Sequence, residues 1–192
     1  MPLDEVEFNL YFEGIERYVP GLDVTMNFHC LDIQASDNLF YTDANALEFM
    51  RRKSNVYSSR YNTTTTQPSS SNFYPVTSAI IIEDTDLHEQ MVVMNDRSTA
   101  ATAFNNGTIE IIISRRQNTT DDLGNEESLN ETEWINGMEL GVRTPAKFIL
   151  KFTHGRAVAQ DTVRKNYLKD RNSLQLFTSI LYNSKENTNS VI

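Results

Sequence analysis

Apolar and polar residues alternate along much of this chain, and this period of two constrains the fold more than any other feature. The alternation is complete over residues 6–12 and 24–30. Side chains of a strand point to its two faces in turn, so each stretch presents one apolar face to a core. Short segments rich in β-branched and aromatic residues predict further strands at residues 78–83, 91–94, 108–114, 147–153 and 174–182. The sequence therefore predicts a mainly β fold, an antiparallel β-sandwich.

Turn signals separate these strands, and helical signals are few. Asn105-Asn106-Gly107 and Asn136-Gly137 contain residues that tolerate a positive φ, and the first of them predicts a hairpin tip. Helical spacing of apolar residues occurs only in short stretches, at residues 44–53 and 157–168. We therefore expect few and short helices.

The length of 192 residues fits one domain over residues 1–192. Residues 62–71 consist of Asn, Thr, Gln, Pro and Ser, a composition that cannot bury apolar surface. We interpret this low-complexity segment as a loop within the domain and not as a domain boundary.

The chain is acidic, with 26 Asp and Glu against 17 Lys and Arg and a net charge of -9. An acidic surface repels phosphate, so neither nucleic acid nor anionic membrane is an expected partner. The longest apolar run, residues 79–82, is far shorter than the roughly 20 residues of a membrane span. Acidic residues among the first seven predict that no signal peptide is present.

Cys30 is the only cysteine, so no disulfide can form within the chain and no zinc site can be built from cysteines. We interpret it as a small buried hydrophobic residue. The three histidines lack the H-x-D and H-x-x-x-H spacings that bring two metal ligands together, so no metal site is expected on this chain.

A series of five segments between residues 38 and 131 carries a resemblance to a known family. In chain order the segments are Phe40-Tyr41-Thr42-Asp43-Ala44-Asn45, Phe49-Met50-Arg51-Arg52, Asn72-Phe73-Tyr74-Pro75-Val76-Thr77-Ser78, Val93-Met94-Asn95-Asp96-Arg97-Ser98 and Gly107-Thr108-Ile109-Glu110-Ile111-Ile112-Ile113-Ser114-Arg115-Arg116. They resemble F-Y-T-D-S-N, E-M-x-x-R, N-Y-Y-P-V-x-S, V-L-T-D-R-S and G-S-L-E-L-M-V-H-R-R of the zinc-dependent α-mannosidases of glycoside hydrolase family 38. Asp121-Asp122 and residues 128–131 are similar to the D-D and P-L-N-E that follow in that family.

The resemblance concerns the C-terminal β-region of these enzymes, and it implies a galactose-mutarotase-like supersandwich. It also implies that the nucleophilic aspartate and the zinc ligands lie in an N-terminal catalytic region that this chain does not contain. Hydrolysis of α-mannosidic bonds would then require that catalytic domain, in cis or in trans, and this chain alone is expected to be inactive. The implied partners are this domain and mannose-containing glycans, and the implied compartment is the lysosome or secretory lumen.

The chain departs from the family pattern where the pattern approaches the active site. Family members carry an x-R-G loop after the D-D pair, whereas Asp122 is followed here by Leu123-Gly124-Asn125. Because this arginine is absent, the resemblance does not imply a contact between this loop and a sugar at the catalytic centre.

Four residues are candidates for contact with substrate or with the catalytic domain: Arg115, Arg116, Asp121 and Asp122. Alternation along a strand sends the two arginine side chains to opposite faces. One could form a structural ion pair with a carboxylate such as Asp96, and the other could face a partner. Asp121 and Asp122 are open to two interpretations, a solvated turn or a loop that contacts substrate or the catalytic domain. No catalytic or metal-binding residue is assigned.

Other polar residues of the motifs are interpreted structurally. Asp43 with Asn45, and Asp96 with Arg97, are expected to hold turn backbone at strand ends. Trp134 could stack on a sugar ring, but we interpret it as a core residue.

Three hypotheses follow. The first is a C-terminal accessory β-domain of an α-mannosidase, which supports the catalytic domain and its substrate cleft. The second is a stand-alone carbohydrate-binding module, and the third is a truncated gene product with a sandwich incomplete at one end.

Overall fold

A computed structural model describes residues 5–12, 14–15, 22–34, 38–57, 59–60, 70–84, 86–117 and 130–171. Within them lie twelve strands and one α-helix. The strands are β1 (Val6–Phe12), β2 (Leu22–His29), β3 (Leu39–Ala44), β4 (Glu48–Lys53), β5 (Tyr74–Val76), β6 (Ala79–Glu83), β7 (Glu89–Asn95), β8 (Thr99–Thr102), β9 (Thr108–Arg116), β10 (Thr132–Ile135), β11 (Met138–Gly141) and β12 (Thr144–His154). The helix α1 spans Arg156–Arg171, and a short 3-10 turn spans Ser70–Asn72.

The strands form two large antiparallel sheets and one small one. The larger sheet has the order β1-β12-β7-β6-β3-β4, and the second has the order β2-β9-β8-β5. Strands β10 and β11 form a separate hairpin. The predicted antiparallel β-sandwich is confirmed.

The main core lies between the two large sheets. It combines Phe28, Ile109 and Ile111 of the four-stranded sheet with Phe40 and Phe148 of the six-stranded sheet, among others. Phe28 packs edge-to-face on Phe148, with ring centroids 5.5 Å apart. These residues come from alternate positions of their strands. The apolar residues of the alternating pattern therefore form the inward face of this sandwich.

The helix covers the opposite face of the six-stranded sheet. Ala159 and Val163 of α1 pack against Ile81, Val92 and other residues of a second apolar cluster. Because both faces of the central strand β6 are covered, residues 79–82 are all buried, and their sequence is apolar without alternation. This helix contains the predicted residues 157–168.

The predicted helix over residues 44–53 is wrong. Asn45 and Ala46 both have φ of 55°, and the N–H of Leu47 donates to the carbonyl of Ala44 at 3.1 Å. These are the features of a tight hairpin turn with two left-handed central residues, which joins β3 to β4. Strand pairing across this turn overrides the helical spacing of the apolar residues.

Both hairpin signals with glycine are found as turns. Gly107 has a φ of 66° between the paired strands β8 and β9, which confirms the predicted hairpin tip. Asn136 and Gly137 have φ of 51° and 82° between β10 and β11.

The predicted strand at residues 174–182 and most of the low-complexity segment, residues 62–69, lie outside the described residues. No described helix is both long enough and apolar enough to cross a membrane.

Candidate functional site

Arg115 and Arg116 end strand β9 and point to opposite sides of it, as the alternation predicts. Arg115 is exposed and forms a two-pronged ion pair with Asp23, with Nε–Oδ1 and Nη2–Oδ2 distances of 2.7 and 2.8 Å. The antiparallel register places Asp23 of β2 directly opposite Arg115. Hydrogen bonding to this carboxylate raises the pKa of Arg115. The structural ion pair is therefore present, with Asp23 as the partner.

The carboxylate suggested for that pair, Asp96, is engaged elsewhere. Its two oxygens accept hydrogen bonds from Nε and Nη2 of the adjacent Arg97 at 3.1 and 3.0 Å. This contact raises the pKa of Arg97. Asp96 and Arg97 thus form a local side-chain pair just after β7, and the described contacts of these side chains are with each other instead of with turn backbone.

Arg116 is buried, with only 5% of its surface exposed. Its Nη1 and Nη2 atoms donate to the backbone carbonyls of Glu131 and Asn130, both at 3.2 Å, while Nε has no partner among the described residues. The guanidinium also lies close to Gly141, where an added Cβ would come within 3.1 Å of Nη1. Arg116 therefore ties the end of β9 to the chain that leads into β10.

Asp121 and Asp122 lie outside the described residues. Their two interpretations, a solvated turn or a contact loop, both stay predictions. The described part of the candidate site thus consists of Arg115 and Arg116, each with structural partners.

Asp43 is the most heavily bonded carboxylate of the motif series. It is 2% exposed. Its Oδ1 accepts the N–H groups of Thr77, Ser78 and Ala79 at 3.1, 2.7 and 2.8 Å, and its Oδ2 accepts the N–H of Ala46 and the hydroxyl of Ser78 at 2.7 and 2.6 Å. One carboxylate thus joins the β3–β4 turn to the start of β6. The structural role predicted for Asp43 is confirmed.

Asp84 performs a similar task at the other end of β6. The N–H groups of Leu87, Gln34 and Asp86 donate to its carboxylate at 2.7, 2.9 and 2.9 Å. These bonds, led by the one from Leu87, hold the pKa of Asp84 below its ordinary value. Both carboxylates therefore accept several hydrogen bonds from backbone N–H groups near the ends of β6.

Asn72, the first residue of the third motif, is also a buried anchor. Its Oδ1 accepts the N–H of Asn55 at 2.6 Å, and its Nδ2 donates to Asn55 Oδ1 at 3.1 Å and to the Tyr57 hydroxyl at 3.3 Å. The motif residues Asp43 and Asn72 therefore link segments that lie apart in the chain, through hydrogen bonds of their side chains.

The histidines are dispersed in the described structure. His29 Nδ1 lies 2.8 Å from the Thr108 hydroxyl, and His88 Nδ1 lies 3.6 Å from Glu83 Oε1. The described residues contain no group of three or more His, Cys, Asp or Glu side chains that could hold a metal ion.

The core interpretation of Trp134 is wrong, whereas that of Cys30 is partly met. Trp134 is 74% exposed, because it lies on the β10–β11 hairpin, which forms a sheet of its own. Cys30 is half-buried against the main core.

Sequence reasoning also missed Asp23, since only strand register reveals which residue faces Arg115.

Comparison with known proteins finds α-mannosidases among the relatives of this chain, and no family model matches the chain. The chain is 35% identical over 109 residues to lysosomal α-mannosidase of Bos taurus and 33% identical over 104 residues to that of Homo sapiens. It is 28% identical over 113 residues to a probable α-mannosidase of Arabidopsis thaliana. The matches cover 55, 53 and 59% of this chain but only 11, 10 and 11% of the relatives, so the chain matches about a tenth of their length. About half of this chain is therefore related in sequence to a region of the α-mannosidases, the family whose motifs it resembles.

Proposed function

We propose that this chain is a C-terminal accessory β-domain of a zinc-dependent α-mannosidase, where it supports the catalytic domain and the substrate cleft. The observation that carries this proposal is the similarity to α-mannosidases over about half of the chain but only about a tenth of each relative. In this proposal the reacting groups belong to the parts of the enzyme that the chain does not match.

The use of carboxylates in the described structure supports a structural role. A retaining glycosidase places two carboxyl groups about 5–5.5 Å apart, one as nucleophile and one as acid and base. The buried carboxylates Asp43 and Asp84 instead bind backbone N–H groups at strand ends. Carboxylates bonded in this way hold the strand ends in position.

The zinc ion and its ligands belong, in this proposal, to the catalytic domain, which is joined in cis or supplied in trans. The described residues do not suit such an ion, because His29 is bonded to Thr108 and no group of three ligands converges. The glycan substrate would reach this chain only where the substrate cleft borders it. Two of the relatives are named as lysosomal enzymes, which favours the lysosome or secretory lumen as the compartment.

The test is a hydrolysis assay of the purified chain with an aryl α-mannoside and added zinc. We expect no turnover above the rate of a heat-unfolded sample. Turnover that a chelator abolishes would refute the proposal, because the chain would then carry its own catalytic centre.

A second candidate function is a stand-alone carbohydrate-binding module. The exposed indole of Trp134 favours it, because a flat aromatic surface open to solvent can stack on a sugar ring. Calorimetry with mannose oligosaccharides separates the two functions. Micromolar affinity of the isolated chain supports the module, whereas millimolar affinity or none supports the accessory domain.

A further inference from the structure

A cleft of about 440 Å³ opens at one end of the sandwich. One wall is the connection that follows β2, with Cys30, Asp32 and Ile33, and the other is formed by the start of β7 and the end of β12. Small-molecule sites commonly have volumes of about 300–1,000 Å³. The cleft beside Arg116, at about 70 Å³, is far below that range.

Phe152 exposes an aromatic ring in this cleft. Strand pairing places it opposite Met91, which is 1% exposed and belongs to the core between the sheets, so Phe152 lies on the inward face of β12. It is nevertheless 54% exposed. The pairing of β1 with β12 stops at Leu150, so the end of β12 extends beyond its neighbour. An apolar ring on a core-facing position is thereby left open to solvent.

Polar groups surround this ring on both walls. Glu89 and His154 face each other across β7 and β12, on the same inward face as Phe152, and Asp32 projects from the other wall. All three are exposed. The buried side chain of Ile33, 1% exposed, completes the apolar part of the cleft. The cleft thus combines an apolar floor with two carboxylate acceptors and an imidazole.

We propose that this cleft binds one or two pyranose rings of an α-mannoside, an inference that rests on the proposed function for the choice of sugar. A pyranose has a patch of C–H groups on its face and hydroxyl groups around its edge. The C–H patch packs on the ring of Phe152, and hydroxyls donate to the carboxylates of Asp32 and Glu89. The cleft then guides the glycan at a distance from the bond that is cleaved.

The test is an NMR titration of the folded chain with methyl α-D-mannopyranoside and with a linear α-linked mannotriose. We expect saturable shifts in the amide signals of residues 30–33 and 152–154, with a Kd on the order of 1 mM for the single ring. Phe152→Leu retains an apolar side chain but loses the flat ring, and should weaken binding about tenfold. Tyr11→Leu is the matched control, since it removes an aromatic side chain that is 60% exposed outside the cleft and should leave the Kd unchanged.

Asp32→Asn provides a second variant at an exposed position, where the fold does not depend on the side chain. It should weaken binding by about threefold or more, because one charged acceptor is lost. Circular dichroism and a thermal melt of each variant establish that it is folded.

Three results would overturn the proposal. The first is the absence of saturable shifts up to about 50 mM sugar, and the second is a Kd that Phe152→Leu leaves unchanged. The third is tighter binding of arginine amide than of the mannoside at the same residues, which would make the cleft a site for basic side chains of a polypeptide. None of these results bears on the hydrolysis assay, so failure here is distinct from failure of the accessory-domain function.

Discussion

Replacement of Asp43 by Asn tests the conclusion that the motif residues hold the fold together. The substitution preserves the shape of the side chain but removes its charge and converts one acceptor oxygen to a donor. With the amide oxygen directed at Thr77, Ser78 and Ala79, the new NH2 group faces the N–H of Ala46, which Oδ2 accepts in the native chain. The Ser78 hydroxyl can rotate and accept from the NH2 group, so Ala46 suffers the main loss.

The cost follows from that single orphaned donor. A hydrogen bond to a charged group contributes about 1.5–3 kcal/mol, and a buried group left without a partner costs about 1–3 kcal/mol. Ala46 is 0% exposed, so water cannot replace the lost acceptor unless the turn opens. Partial relaxation of the turn reduces the sum, and we expect a loss of about 2–4 kcal/mol in the free energy of unfolding. For a chain of this size the melting temperature would fall by about 5–15 °C.

The assay is urea denaturation at neutral pH followed by circular dichroism. Asp96→Asn is the matched control, because this carboxylate forms an exposed pair with Arg97 and should contribute less than about 1 kcal/mol. A free energy of unfolding for Asp43→Asn within about 1 kcal/mol of the unmodified chain would refute the reasoning. The buried hydrogen bonds of the Asp43 carboxylate would then contribute little to the free energy of unfolding, and its structural role would have to be abandoned.

Four further outcomes are expected. Arg115→Ala should change the free energy of unfolding by less than about 1 kcal/mol, and less at 1 M salt than at low salt, as chemical denaturation will show. Arg116→Ala should cost about 1.5–3 kcal/mol in the same assay, because a buried guanidinium that donates to two part-buried backbone carbonyls is lost, and equal effects of the two arginines would contradict this. The pKa of Asp84 is lower in the folded than in the unfolded chain, so its stabilising contribution is present above pH 4, roughly, and is lost as pH falls through its folded pKa. Melting temperatures of Asp84→Asn should therefore vary less with pH in this acidic range than those of the unmodified chain. Trp134→Ala should leave the melting temperature unchanged within about 2 °C, because the side chain is 74% exposed; a larger fall would restore its interpretation as a core residue.

The candidate site shows where sequence reasoning reaches its limit. Alternation predicted that Arg115 and Arg116 face opposite ways, because that depends only on local strand geometry. The identity of Asp23 as the ion-pair partner depends on the register between β9 and β2, which are distant in sequence. The burial of Arg116 depends likewise on the approach of Gly141 from another strand.

The errors have the same origin. Residues 44–53 have helical spacing, but a turn with positive φ at Asn45 and Ala46 converts them to a hairpin that pairs with the rest of a sheet. Trp134 is an aromatic residue in a strand, yet that strand belongs to a separate hairpin and the side chain is 74% exposed. Local pattern defines which residues are apolar, but it does not define which of them another element will cover.

The sequence by itself determined the β-sandwich class, the inward faces of its longer strands, the glycine turns and the relation to the α-mannosidases. Each of these depends on residues close together in the chain or on the order of motifs. Only the tertiary structure decided that Asp43 and Asp84 bind backbone donors, that Arg116 is buried, and that Phe152 is open in a cleft at the end of the sandwich. These properties depend on how far each strand extends past its neighbours and on which distant segments meet, and the physical cause is packing between elements.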